Sequence, residues 1–183
     1  MATKTNVSVG KPLLAGSVYR APVGTALPTT ADGNLNGAFA SVGYISEDGV
    51  TWSYSAETEQ YKAWGGDIVL EEATEVTDTA QFTMIESMNA EAAKAYWGNS
   101  AVVTGTGTIT INVGEPDTTA YSWVIDILLR GSGIRRIVLP SAVVSEHGDI
   151  TYADDQLVGY DVTLRAQKDG SGKYHYEYVK LPS

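Results

Sequence analysis

VGYISEDGVTWSYSAETEQYKAWGGDIVLEE, residues 42–72, is the stretch on which the reading of this chain turns. It lies between two strand-like patterns and holds Trp52, Trp64, Tyr44, Tyr54 and Tyr61 among Glu47, Asp48, Glu57, Glu59, Asp67, Glu71 and Glu72, without a clean alternation from end to end. Connections in compact domains usually run to roughly 4–6 residues, so a long one rich in aromatics points to a binding role. Trp52 and Tyr54 share a face at period two, which allows a hairpin arm, and Gly65-Gly66 marks its return. A lone hairpin exposing such rings is an aggregation hazard. The mixture therefore suits covering a partner better than filling a core.

Toward the N-terminus, Phe39 to Ile45 reads as the strand feeding this stretch, and Pro22, Gly24, Pro28 and Asp32-Gly33-Asn34 mark a loop before it. Ser17 to Ala21 is an expected first strand, and residues 1–16, with no sustained period, an extended arm. Toward the C-terminus, Ile68 to Ile85 sets Val76, Ala80, Phe82 and Met84 against Thr77, Thr79, Gln81 and Thr83. A short helix over 88–97 is expected, capped by Ser87 or Asn89 and closed by Gly98, with Met88, Ala92, Ala95 and Tyr96 on the sheet. Val102 to Val113 reads as one strand with a threonine face of Thr104, Thr106, Thr108 and Thr110. Tyr121 to Arg130 is the most buried strand expected, Ile134 to Val144 follows with a break at Pro140, and Leu157 to Gln167 forms a closing hairpin with Tyr174 to Tyr178 across the Asp169-Gly170-Ser171-Gly172 turn.

The 183 residues suffice for one domain spanning 1–183, with no linker or composition break to divide it. Eleven Tyr, four Trp, 19 Gly and many Val, Thr and Ile favour sheet and tight turns, hence an all-β chain with a minor helix. The absence of cysteine excludes disulfides, thiolate metal sites and Cys nucleophiles. The N-terminus lacks an apolar run of about 7–15 residues, so neither secretion by signal peptide nor membrane insertion is expected. A net charge of −10 opposes non-specific adhesion to DNA. Nine acids against Lys62 between Ser46 and Asp78 account for −8 of it, while Arg130, Arg135 and Arg136 form a basic cluster. The charges read either as a solvated acidic face and a basic turn or as complementary patches on repeating subunits.

Catalytic constellations are few. His147, near Glu146, Asp149, Asp154 and Asp155, sits in a turn where polar residues are expected anyway, and His175 lies between tyrosines in a strand. Gly131-Ser132-Gly133 lacks the third glycine and the following helix of a dinucleotide site, and no phosphate-loop, zinc or Gly-x-Ser-x-Gly signature occurs. The expectation is a non-enzyme without cofactor.

GYISEDGVT at 43–51, ExxKAWGGD at 59–67 and VYRAPVGTALPT at 18–29 together resemble the major tail tube protein of long-tailed, non-contractile bacteriophages. The resemblance implies a mainly β fold, a sandwich or partial barrel of antiparallel strands with one short helix and a long inter-strand loop at 46–67. It further implies virion subunits, assembled in the host cytoplasm into stacked rings of six that form a hollow tube for DNA passage. Tape measure, tail terminator and distal tail or baseplate proteins are the implied partners. On this view residues 46–67 reach the next ring through Trp52, Tyr54, Tyr61 and Trp64, with Glu47, Asp48, Glu57 and Glu59 received by Arg130, Arg135 and Arg136. The expected lumen is hydroxylated and poor in cations, with Thr77, Thr79, Gln81 and Thr83 or Thr104, Thr106, Thr108 and Thr110 as its lining. Two alternatives are a sandwich domain that binds a host-surface glycan or protein, which would stay monomeric and line a groove with its aromatics, and a tube protein of a contractile secretion system.

Overall fold

The computed structural model describes residues 7–12 and 16–182; the remainder of the expected N-terminal arm lies outside the described residues. The architecture is mainly antiparallel β with one helix, as the alternating patterns require. In chain order the strands are β1 (Lys11–Pro12), β2 (Val18–Pro22), β3 (Ala40–Ser41), β4 (Ile45–Lys62) and β5 (Ile68–Met84), then helix α1 (Ala90–Trp97). There follow β6 (Val102–Gly105), β7 (Thr108–Ile111), β8 (Tyr121–Leu128), β9 (Ile134–His147), β10 (Tyr160–Ala166) and β11 (Tyr176–Lys180). The main sheet runs β3-β2-β8-β9-β10-β5-β4, with β1 added to β8 and β11 to β9, and β6-β7 stand apart as a two-stranded ribbon.

The long sheet folds over on itself to bury one face. Phe82 of β5 meets Trp123 of β8 edge to face at 6.1 Å, while Asp78, four residues earlier, meets His175 just ahead of β11. Strands β8, β9 and β11 are successive neighbours, so those four residues, about 13 Å of strand, traverse two strand spacings of about 4.8 Å each. β5 therefore crosses beneath the second half of the sheet rather than running along it, and the core of Val18, Phe82, Met84, Trp123, Ile125, Leu139, Val162 and Leu164 fills the crossing. The outer side of β8 and β9 carries a smaller cluster, Ala21, Phe39, Val124 and Val138, covered by Leu27 and Leu35 of the 23–38 loop.

Several local expectations are corrected. α1 begins at Ala90, where the Asn89 side chain accepts from the Glu91 N–H; Met88 precedes it and is 90% exposed, so the packed face is Ala92, Ala93, Ala95 and Tyr96. Residues 102–113 are two strands, because Thr106-Gly107 turns the chain with Gly107 at φ 70°, a conformation glycine adopts without strain. β10 and β11 do not pair with each other: β10 lies on Ala142–His147 of β9 and β11 on Ile134–Val138, so they continue one another along the same edge. The Asp169 turn is a local excursion between them, closed by the Asp169 carboxylate accepting from the Ser171 and Lys173 N–H groups. The strand expected over Phe39 to Ile45 shrinks to Ala40–Ser41.

Candidate functional site

Residues 46–67, expected as a long connection able to form a hairpin arm, form that arm rather than an irregular loop. β4 and β5 stay in register from Trp52↔Ala80 out to Lys62↔Ile68, with bulges at Thr74 and Val69. β10 covers the flank of β5 only as far as Thr79, and every residue from Ser53 to Glu75 is exposed. Ten residues of β4, Ser53 to Lys62, thus project as a two-stranded ribbon about 30 Å long at roughly 3.3 Å per residue. Its turn, Ala63 to Asp67, is closed by backbone bonds from the Ala63 N–H to the Asp67 carbonyl and from the Gly66 N–H to the Ala63 carbonyl, with Trp64 fully exposed.

The aromatic candidates separate by depth. Trp52 packs against the core at the root of the arm, where its indole N–H donates to Asp78 at 2.7 Å and its ring meets His175 at 4.8 Å. Asp78, 1% exposed, also receives His175 Nδ1 at 2.5 Å, and Glu177 links the imidazole onward to Arg135 at 3.4 Å. This junction fixes the direction in which the arm leaves the body. Sequence reading missed it: only the buried period-two position of Asp78, in line with Val76 and Ala80, signals it. Tyr54 and Tyr61 lie on the shaft at 63% and 45% exposure, and Ile68, Val69 and Leu70 add apolar surface near the tip that was not anticipated. Glu47 and Asp48 sit apart, in the bulge between Ile45 and Val50 at the base.

The basic cluster also divides. Arg136 is buried and is not available to a partner: its guanidinium donates to both Asp126 oxygens at 2.6 and 2.8 Å and to the Thr30 and Gly33 carbonyls, so it pins the 23–38 loop to the sheet. Arg135 is exposed beside Glu177, and Arg130 is exposed in the turn between β8 and β9. Nearby, Lys180 bonds Asp32 at 2.8 Å and holds that carboxyl below its ordinary 3.8 through the hydrogen bond and the ammonium charge.

The two threonine sets fare differently. Thr77, Thr79 and Gln81 line a concave polar trough with Thr51, Ser53, Ser145, Thr163, Arg165 and Gln167. Gln81 and Thr83 donate to Asp161 at 3.1 Å each, and the Ser145 hydroxyl donates to the Thr163 carbonyl, so the hydroxyl and amide groups are held on a sheet surface. Thr104, by contrast, faces with Ile109 on one side of the β6-β7 ribbon, Thr108 and Thr110 face with Val103 on the other, and Thr106 is in the turn, so they form no single surface. His147 packs its ring against Tyr96 at 5.0 Å. Among the described residues no group of three or more His, Asp and Glu side chains is placed to hold a metal ion.

No curated protein sequence matches the chain. Among solved structures, the sheath/tube terminator of an extracellular contractile injection system in its extended state aligns over 91% of this chain and 96% of that one, at 9% identity and a TM-score of 0.41, a likeness too loose to carry an argument. A family model described as phage tail tube protein matches residues 3–180, nearly the whole chain, and the chain therefore belongs to the phage tail tube protein family, structural proteins of the virion tail.

Proposed function

We propose that copies of this chain close into rings, with six subunits as the expected number, and that the rings stack into the hollow tube through which the genome leaves the virion. The observation that carries this reading is the projecting arm. A two-stranded ribbon exposed on both faces is at best marginally stable alone, so it calls for a neighbour to cover it. A head-to-tail contact repeated around an axis closes a ring, and a second contact along the axis propagates a filament. The hydroxylated trough is the proposed lumen face. It carries Arg165 against Glu146 and Asp161, so a passing phosphate backbone meets polar groups without net attraction. Assembly in the host cytoplasm and capping by tape measure, terminator and distal tail proteins belong to the same reading.

Electron microscopy of the purified chain across concentration, beside its light-scattering mass, tests this directly. Hollow tubes built from rings are the expected result. A folded chain that remains monomeric at every concentration, with an arm already protected from hydrogen exchange, counts against it.

A further inference from the structure

The arm leaves the sheet at a different edge from the surface that complements it, although β1 on that surface neighbours β4 within the subunit. Passing along β5 from Phe82 beneath β8 to Asp78 beside β11, the chain leaves the body on the β11 side. β1 is on another edge, paired to β8 on the side away from β9. There the segment ahead of β1 is tied to the β8–β9 turn by the Arg130 N–H donating to Ser8 Oγ at 2.7 Å. Val7, Val9, Lys11 and Arg130 are all exposed on this rim. Among the described residues Lys11 and Arg130 belong to no ion pair, unlike Arg135 and Lys180.

Register sorts the arm's chemistry. Glu57 lies directly opposite Glu75 and Glu59 opposite Glu72, on the same face as the Tyr61–Leu70 pair nearer the tip. Like charges placed opposite one another destabilise an isolated hairpin, and no cation of the described residues lies within ion-pair distance of these four. One face of the ribbon is thus acidic with an apolar end, and the β1 rim is basic with exposed valines.

We propose that this face of the arm docks on the N-terminal rim of a second copy beside it in the same ring. The inference rests on the ring-and-tube reading and deepens it, because it moves the arm from the contact between rings to the contact within one. An arm that leaves at one edge of the molecule and a receiver at another make a heterologous contact, which closes when rotation closes. Apposition places Lys11 and Arg130 where the paired carboxylates are otherwise uncompensated, and Val7 and Val9 against Tyr61 and Leu70.

Charge reversal tests it, since every side chain changed is exposed. One variant carries Glu57→Lys, Glu59→Lys, Glu72→Lys and Glu75→Lys; the other carries Lys11→Glu and Arg130→Glu. Each alone is expected to lose at least tenfold of its oligomer by sedimentation at low salt, with unchanged tryptophan emission. Mixed one to one they are expected to recover it, because each arm then finds a rim of opposite sign. The proposal is overturned if the mixture does not recover, if either variant assembles like the wild type, or if rings persist and only stacking is lost. The tube reading fails separately, when wild-type oligomers show no hollow tube by microscopy. A wild-type chain monomeric at all concentrations overturns both.

Discussion

Asp126 and Arg136 face each other across β8 and β9, both almost wholly removed from water, with the remaining guanidinium N–H groups on backbone carbonyls. Removing one partner of such a pair leaves an uncompensated buried charge, so Arg136→Met is expected to cost about 3–5 kcal/mol in urea unfolding, and Asp126→Leu in the same chain to restore most of it. The sequence showed three arginines near one turn, but spacing reports charge and not depth. The usable cue was the single carboxylate interrupting the apolar run from Trp123 to Leu129. A second residue-scale test lies in the Asp169 turn. The Tyr176 hydroxyl donates to Asp169 at 2.6 Å and, with the backbone N–H groups of Lys173 and Ser171, holds the carboxyl below its ordinary 3.8, while the Tyr176 hydroxyl is pushed up. A depressed carboxyl favours the folded turn above pH 3.8 and loses that contribution as pH falls through the lower folded value. A carboxyl carbon titration by NMR should therefore show a midpoint below 3.8 that climbs toward it in Tyr176→Phe.

At the scale of the element, the arm divides two tryptophans that the sequence grouped together. Trp64→Ala removes a side chain that touches only solvent, so the free subunit's stability should change by less than about 0.5 kcal/mol, while tube yield falls. Trp52→Ala empties packed space at the root and takes a hydrogen bond from buried Asp78, which should cost roughly 3–5 kcal/mol in thermal unfolding. Equal effects of both substitutions on the free subunit would mean that the arm is not the exposed ribbon described. The period-two pattern of β5 was legible from Val76 to Met84, where one of its faces is buried. The shaft of β4 was not, since with both faces in solvent nothing in the sequence needs to alternate. Thr104 to Thr110 misled for a related reason: a short exposed ribbon keeps the same polar and apolar alternation through a tight turn, and only Gly107 marks the reversal.

At the scale of the whole molecule, the mainly β class was legible, but the crossing of β5 beneath β8 and β11 was not, because it depends on pairings between segments far apart in the chain. That crossing leaves the face with Thr51, Ser53, Thr77, Thr79, Gln81 and Thr163 as a continuous polar trough. If the trough lines the tube, its charge governs how DNA moves, and each subunit's contribution is repeated around every ring and along every stack. One added lysine per subunit is then a helical track of cations, each able to neutralise a phosphate and release a counterion. Thr79→Lys with Thr163→Lys changes two partly exposed positions on adjacent strands of this face and leaves the buried face of β5 and β10 untouched. Tubes of the variant should still form, should retain double-stranded DNA at about 0.15 M salt where wild-type tubes release it, and should lose that retention steeply as salt rises. In a virion the same substitution should slow genome release. Variant tubes that hold no more DNA than the wild type at low salt would show that this face looks outward, and would leave the opposite side of the subunit to line the channel.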